Sequence, residues 1–455
     1  MTVFETMTVD GRLLEEVKTL IDQQDTVGLK KLLDQMRPAD VADLIEHSGK
    51  DEGLFIFRLL EPEGAGDVLM EIESPVQERI LKGLDSEAIS QIVEELDSDD
   101  AADVVGDLPA DRAKEVIEAV GDEVTEDLEK LLPYPEDTAG GIMALEFVAV
   151  KAGATVGDAI ESIREKREEV ENLYYIWVTD DSGRLAGVIS LKDLVLEPPD
   201  KIVSEIMNPE VISVNVKADQ EDAIHLAKRY DLVNIPVVDD SHRLVGRITH
   251  DDIIDVIEEE VDEDMALMAG VIDQEITEHS AIKISRARLP WLVTALFGGI
   301  LAASVINQFE SSLEKVIALS FFFPVIMAMG GNTGIQTSTV VIRGLATGDI
   351  SLASTGKRIW MEMRVALING LTCGLILWLI VGFWLGDYRL ASIVSSALVL
   401  IILISGLVGS AVPLALKKLN IDPALAAGPF ITTYNDILSL LIYLSLVTFF
   451  LCDPL

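Results

Sequence analysis

Cysteine is nearly missing from this 455-residue chain: Cys373 and Cys452 are the whole supply, and both sit inside apolar runs. That excludes a disulfide framework and a thiolate metal site. The five histidines are dispersed and give no zinc-ligand spacing. Basic residues are scarce too, 35 Lys and Arg against 77 Asp and Glu, for a formal net charge of −42. Phosphate binding relies on Lys and Arg in excess, so nucleic acid is an unfavourable partner and cations are favourable ones. An acidic surface that merely keeps a protein soluble has the same composition, and charge alone does not separate the two readings. No G-x-x-x-x-G-K-[ST] phosphate loop is present, since Gly356 and Lys357 run into Arg358 and lack the earlier glycine. No Ser/His/Asp or Cys/His arrangement stands out, so an enzyme is not expected. The N-terminus has no basic stretch followed by an apolar one, and no cleaved signal peptide is expected.

The charge is unevenly spread. Residues 1–282 hold 69 Asp and Glu against 24 Lys and Arg, whereas residues 283–455 hold 8 against 11. After Arg288 come long uncharged runs: Leu289–Phe309, Val316–Ile342, Val365–Gly386, Leu390–Leu416, and Pro423–Cys452 interrupted only by Asp436. Each reaches the roughly 20 residues a helix needs to cross a bilayer, which predicts five crossings. Lys283, Arg286, Arg288, Arg343, Lys357, Arg358, Arg364, Lys417 and Lys418 flank one side of these runs, and only Lys315 and Arg389 the other. The membrane expected is the inner one, crossed several times, and the basic excess predicts residues 1–282 in the cytosol and the C-terminus outside.

Two repeats organise the acidic part. Met36, Leu60, Ile72, Leu84, Leu96 and Leu108 recur on a twelve-residue spacing, each followed by Ser, Asp or Pro suited to the first turn of a helix. This predicts a superhelix of short helices, each burying a face on its neighbours. Farther on, Ile176–Asp193 matches Ile235–Asp252 at a constant offset of 59 residues, sharing Asp180/Asp239, Arg184/Arg243, Gly187/Gly246 and Asp193/Asp252. Each copy reads strand, helix, strand, turn, strand, helix, with Asp-Asp-Ser supplying the turn. These copies resemble a tandem pair of CBS domains, down to a Ser/Thr-x-x-Asp element at Ser190–Asp193 and Thr249–Asp252. In that family the element often contacts a nucleotide ribose, which implies regulatory adenine-nucleotide binding, ATP included; CBS pairs that bind nothing carry it too. From Asp251 an acidic helical stretch runs towards the first span, with Glu259/Glu263 and Glu260/Asp264 at i, i+4. Like charges at that spacing destabilise a helix unless something neutralises them, and a solvated acidic face is the alternative.

Inside the membrane the informative residues are few. Asp436 lies in the fifth run beside Asn435, Thr432 and Thr433. An ionisable residue there is costly and marks an ion path or relay. The second run places Asn332, Thr333, Gln336, Thr337, Ser338 and Thr339 among Gly330, Gly331 and Gly334. Close helix packing with interhelical amide bonds is one account of these. A carboxylate with neutral oxygens is also suitable company for a hard, hydrated cation such as Mg²⁺. Soft-metal transport is disfavoured, because no Cys, His or Met cluster occupies polar positions.

The order of segments resembles the MgtE-type magnesium channels over nearly the whole chain, most distinctively in "YPEDTAGGIM", "GGNTGIQ" and "DPALAAGPFITTYND". The fold expected is a multidomain membrane protein: an all-α superhelical N domain (1–135), an α/β tandem CBS pair (136–202 and 203–256), a long acidic linker or plug helix (257–282) and a five-helix transmembrane domain (283–455). The resemblance implies a homodimer with one pore, Asp436 as the pore carboxylate and Asn332 assisting. It also implies regulatory Mg²⁺ ligands at Asp99, Asp103, Asp219, Glu221, Asp231, Asp252, Asp255, Glu260, Glu263, Asp264 and Asp422. Gly428 departs from the Asn that some members carry just before the proline. The function expected is a Mg²⁺-selective uptake channel that cytosolic Mg²⁺ gates closed, magnesium resting on the resemblance. An ion-coupled divalent-cation carrier and a membrane-anchored CBS nucleotide sensor are the rivals.

Overall fold

The computed structural model describes residues 11–167, 173–269, 271, 281–346, 350, 355–419, 421–426 and 428–452. Of the linker expected over 257–282, residues 270 and 272–280 lie outside the described residues. Two compact units divide between Ile257 and Glu258.

The first unit begins with ten short helices: α1 (Gly11–Asp22), α2 (Thr26–Leu33), α3 (Pro38–His47), α4 (Lys50–Phe57), α5 (Pro62–Met70), α6 (Ser74–Gly83), α7 (Ser86–Val93), α8 (Ser98–Gly106), α9 (Ala110–Ala119) and α10 (Asp122–Leu131). From α3 to α9, with α4 the exception, a helix opens two residues after one of the periodic aliphatic residues. Except at α8, proline or a capping side chain sets the start, as where the Asp85 carboxylate accepts the Ala88 N–H at 2.9 Å. The sequence period skips α4 because Gly49 stands at its cap; the Glu52 carboxylate reaches back to the Gly49 N–H at 3.1 Å instead. Odd helices pack on odd (α3 on α5, α5 on α7, α7 on α9) and even on even (α4 on α6, α8 on α10), which makes the superhelix two-sided. Leu44, Ile45, Ile56, Leu69, Ile80 and Ile89 fill the seam between the sides, each contributing roughly 1.5–3 kcal/mol by burial.

Two three-stranded sheets follow. Strand β1 (Ala149–Lys151), α11 (Val156–Glu165), β2 (Tyr175–Thr179), β3 (Leu185–Ser190) and α12 (Leu191–Leu196) form the first copy of the repeat. The second copy is β4 (Val214–Asn215), α13 (Gln220–Tyr230), β5 (Ile235–Val238), β6 (Leu244–Ile248) and α14 (His250–Ala269). In each sheet the first pair is parallel and the second antiparallel, as the strand–helix–strand–turn–strand reading requires. The Asp-Asp-Ser turns work as expected. The Asp180 carboxylate accepts the N–H groups of Ser182 and Arg184, and Asp239 does the same for Ser241 and Arg243.

The packing between copies was not legible in the sequence. The methionines of the repeated Ile-Met pair are exchanged: Met207 lies against Gly187 of the first sheet, and Met143 against Gly246 of the second. A side chain on Gly246 would begin 2.7 Å from the Met143 sulfur and 2.9 Å from the Ala144 carbonyl, which is backbone. Gly246→Ala should therefore destabilise the first unit by about 1–3 kcal/mol, read as a lower urea midpoint with an unchanged slope.

The second unit supplies the spans: α15 (Ala281–Gln308), then a short α16 (Glu310–Lys315), a 3₁₀ turn (Ile317–Phe322) leading into α17 (Phe323–Ala346), α18 (Thr355–Leu385), α19 (Tyr388–Lys418) and α20 (Pro429–Val447). Among the described residues five segments of 21 to 31 residues are long and apolar enough to cross a membrane. Helix α19 is the most enclosed, with α17, α18 and α20 packed on it. The fifth apolar run is not one helix. Residues 423–426 form a separate 3₁₀ turn, and Gly428 at φ +62° redirects the chain before Pro429 opens α20.

Candidate ion path and regulatory acidic cluster

Breaking the fifth run at Gly428 puts Asp436 at the eighth residue of α20 rather than at the centre of a long helix. Thr432 donates its hydroxyl to the Gly428 carbonyl at 3.0 Å, which steadies the first turn. Asp436, Thr432 and Thr433 face a cavity of about 390 Å³ whose opposite wall is Gly298, Gly299 and Ala302 of α15. Among the described residues Asp436 is the only ionisable one in its lining. Gly298 is needed there, since a Cβ on it would fall 1.8 Å from the Thr433 methyl, whereas one on Gly299 would meet nothing within 4 Å. Asn332 is not brought to this cavity; it lies on the exposed side of α17.

Ala269, the last residue of α14, also lines the Asp436 cavity. Just before it, Leu267 and Met268 pack against Ile342 of α17 and Ala424 of the 3₁₀ turn. Glu260 and Asp264 share that half-buried face of α14, whereas Glu263 is exposed. Asp422 accepts the Ala424 N–H at 2.8 Å and so caps the turn the helix rests on.

The first unit gathers a different set of carboxylates. Asp99, at the start of α8, is buried and accepts the Asp100 N–H at 3.0 Å. Its carboxyl is held well above the ordinary range by burial and by the charges of Asp252 and Asp100. Burial, with Asp252, Asp103, Asp97 and Asp251 nearby, pushes Asp100 up to about 8. Asp252 is pushed up to about 6 by burial, although Thr249 donates both its backbone N–H, at 2.8 Å, and its hydroxyl to it. Glu146 is raised by burial as well and accepts the N–H and hydroxyl of Ser98. Asp255 acts on Glu71, which burial also raises.

Asp99, Asp103, Asp252 and Asp255 therefore belong to one electrostatic neighbourhood. Asp100 and Glu146 were missed. Asp100 was findable, being three residues from Asp103 on the same helix; nothing in the spacing points to Glu146. Asp219 caps α13 through the Glu221 N–H, but Asp231 ends that helix about 18 Å away along its axis. Among the described residues no three acidic, His or Cys side chains converge closely enough to hold a bare metal ion. The gathered carboxylates suit a cation that keeps its waters.

The Ser/Thr-x-x-Asp elements serve as helix caps. Ser190 donates to Asp193 at 2.6 Å and accepts the Asp193 N–H at 3.1 Å, and at the start of α14 the Thr249 N–H and hydroxyl both donate to Asp252. A cavity of about 620 Å³ on the first copy is lined by Lys151, Asp158, Thr179, Asp180 and Asp181, but not by Ser190 or Asp193.

Comparison with known proteins covers this whole arrangement. A family model described as "Divalent cation transporter" matches residues 323–446, one for the "MgtE intracellular N domain" matches 36–137, and the CBS domain model matches 139–199 and 203–259. "Magnesium transporter MgtE" of Thermus thermophilus is 37% identical over 445 residues, which span 96% of this chain and 98% of that one. Its namesake from Bacillus subtilis is 34% identical over 98% of this chain and 99% of its own. The crystal structure of the cytosolic domain of the Mg²⁺ channel MgtE in complex with ATP, 35% identical, superposes with a TM-score of 0.51 over 53% of this chain and 99% of that one. These matches, spread over the helical repeat, the CBS pair and the spans alike, make the chain a multi-pass membrane protein that belongs to the MgtE family of magnesium transporters.

Proposed function

We propose that this protein is a Mg²⁺-selective uptake channel of the inner membrane, closed when Mg²⁺ binds its acidic cytosolic part. One observation carries the reading: the cavity whose only ionisable lining residue, among the described residues, is Asp436 also has the end of the acidic helix α14 in its wall. In this reading the helix lines the path, carries Glu260 and Asp264 towards it and acts as a plug. The basic flanks of the spans support a cytosolic N-terminal unit and an outside C-terminus. Asn332, on the exposed side of α17, is proposed to complete the pore across a two-fold axis, which makes the working unit a homodimer with one pore.

The gate follows from charge. Two carboxylates about 6 Å apart repel by roughly 3 kcal/mol at an effective dielectric of about 20. Moving a gate from 1:99 to 99:1 takes about 5.5 kcal/mol, so a few partly buried pairs suffice. Mg²⁺ binding at Asp99, Asp103, Asp252 and Asp255, and at Glu260, Glu263, Asp264 and Asp422, offsets that repulsion and holds the plug in. Asp219, Glu221 and Asp231 are proposed as further ligands acting separately at the two ends of α13. ATP is proposed as a regulatory ligand of the CBS pair, supported by the ATP complex of the related cytosolic domain. Ser190, Asp193, Thr249 and Asp252 would contact it, and nothing would be hydrolysed.

The test is current recorded from the full chain in a planar bilayer while Mg²⁺ is raised on the cytosolic side. Unitary current steps that disappear as that Mg²⁺ rises are expected. Transport without resolvable steps, dependent on a second ion gradient, would favour a coupled carrier.

A further inference from the structure

Beside Asp436 lies a side chain that the proposed pathway does not use. Asn435 is fully buried between α20 and α17, and neither its amide nitrogen nor its amide oxygen has a hydrogen-bond partner among the described residues. Its Nδ2 stands 1.9 Å from where a Cβ on Gly334 would be, so it is seated directly on that glycine. One turn farther along α20, the buried and equally unpartnered Ser439 hydroxyl sits 2.2 Å from the corresponding point on Gly330. Between them, Gly331 brings the same point to 3.7 Å from Asp436 Oδ1. Three polar side chains of α20 are thus keyed to three glycines of α17.

We propose that Asn435 is a positioning residue for the cation path: seated on Gly334, it fixes the rotation of α20, and with it the place of the Asp436 carboxylate. The proposal rests on Asp436 being the pathway carboxylate. Stability does not account for an asparagine here, because a buried amide without partners is unfavourable in a membrane core. Interhelical bonding does not account for it either, because that role needs a partner. What the amide supplies is shape, a flat group held against a surface that has no side chain. Successive residues of a helix point about 100° apart, so a turn of α20 that unseats Asn435 swings Asp436 along the cavity wall by the same angle. Mg²⁺ demands near-ideal octahedral geometry, whereas Ca²⁺ accepts a looser one, so a displaced carboxylate penalises Mg²⁺ more.

The experiment measures Mg²⁺ and Ca²⁺ flux against concentration in proteoliposomes holding the full chain. Wild type is compared with Asn435→Ala, Asn435→Ser, Gly334→Ala and the Asn435→Ala/Gly334→Ala pair, each checked for monodispersity and for the amount reconstituted. Asn435→Ala strands no partner and is expected to raise half-saturating Mg²⁺ about tenfold, as loss of an outer-shell support does, with a smaller change for Ca²⁺. Asn435→Ser, which keeps a small polar group, gives the same shift in weaker form and serves if the alanine variant does not assemble. Gly334→Ala reproduces the shift by unseating the amide, and adds none when Asn435 is already alanine. An unchanged half-saturation and Mg²⁺/Ca²⁺ ratio in Asn435→Ala overturns the proposal. So does an equal loss of maximal flux for both ions, the mark of packing alone, or independent multiplication of the two single effects. Flux that survives Asp436→Ala overturns the pathway reading itself, which is a different failure.

Discussion

Asp436→Ala abolishes Mg²⁺ entry into proteoliposomes loaded with a Mg²⁺-sensitive dye, while the protein remains folded and reconstitutes in normal amount. The expectation follows from the cavity. Among the described residues its remaining polar side chains are hydroxyls, Thr432 and Thr433, and hydroxyls carry no charge with which to offset the dehydration of a divalent ion. A carboxylate about 4 Å from a cation contributes about 4 kcal/mol per unit of cation charge at an effective dielectric of about 20. At about 1.4 kcal/mol per factor of ten, its removal lowers occupancy of the path by more than about a hundredfold. Asp436→Asn preserves shape and removes only charge, so it fails almost as completely if charge is the cause. Flux retained in the asparagine variant would assign Asp436 a packing role, and flux retained in both would place the ion path elsewhere.

Asp436 stands out in the sequence because the five apolar runs hold no other acidic or basic residue. The repeat units were legible for a similar reason: Leu60, Ile72, Leu84, Leu96 and Leu108 mark helix entries because local capping chemistry recurs with them. Gly49 breaks that chemistry, and α4 was missed with it. Tertiary exchanges left no such mark. Met143 and Met207 each seat in the other copy's sheet, yet the repeat looks self-contained when it is read along the chain. The break at Gly428 is a backbone event, hidden within an apolar run that hydropathy reads as continuous. Glu146 joins Ser98 across 48 positions, and only the folded chain brings its charge to Asp97 and Asp99.

Removing Mg²⁺ destabilises the Met1–Ile257 unit, and the loss grows with pH. Asp252 is pushed up to about 6, Asp100 to about 8, and Asp99 well above the ordinary range, all chiefly by burial with like charges nearby. In the unfolded chain these groups titrate near 3.9. The ion-free native state therefore binds more protons than the unfolded state throughout the interval between. Stability from these groups is fully present below about pH 4 and is lost as pH rises through about 6 and then about 8. The slope is about 1.4 kcal/mol per pH unit for each carboxyl still protonated. If Mg²⁺ binds here as proposed, it is expected to reverse the loss by replacing the protons, and it competes with fewer of them at high pH. In the detergent-solubilised full chain with a chelator present, proteolysis within residues 1–257 is expected to be faster at pH 8 than at pH 6. Saturating Mg²⁺ should protect strongly at pH 8 and weakly at pH 6. Asp100→Asn removes a carboxyl that must ionise in this window, so it should flatten the chelated pH profile and shrink the protection by Mg²⁺ at pH 8. Equal protection at both pH values, or greater protection at pH 6, would mean that the cation does not replace these protons and that its regulatory site lies outside the Asp99, Asp100 and Asp252 neighbourhood.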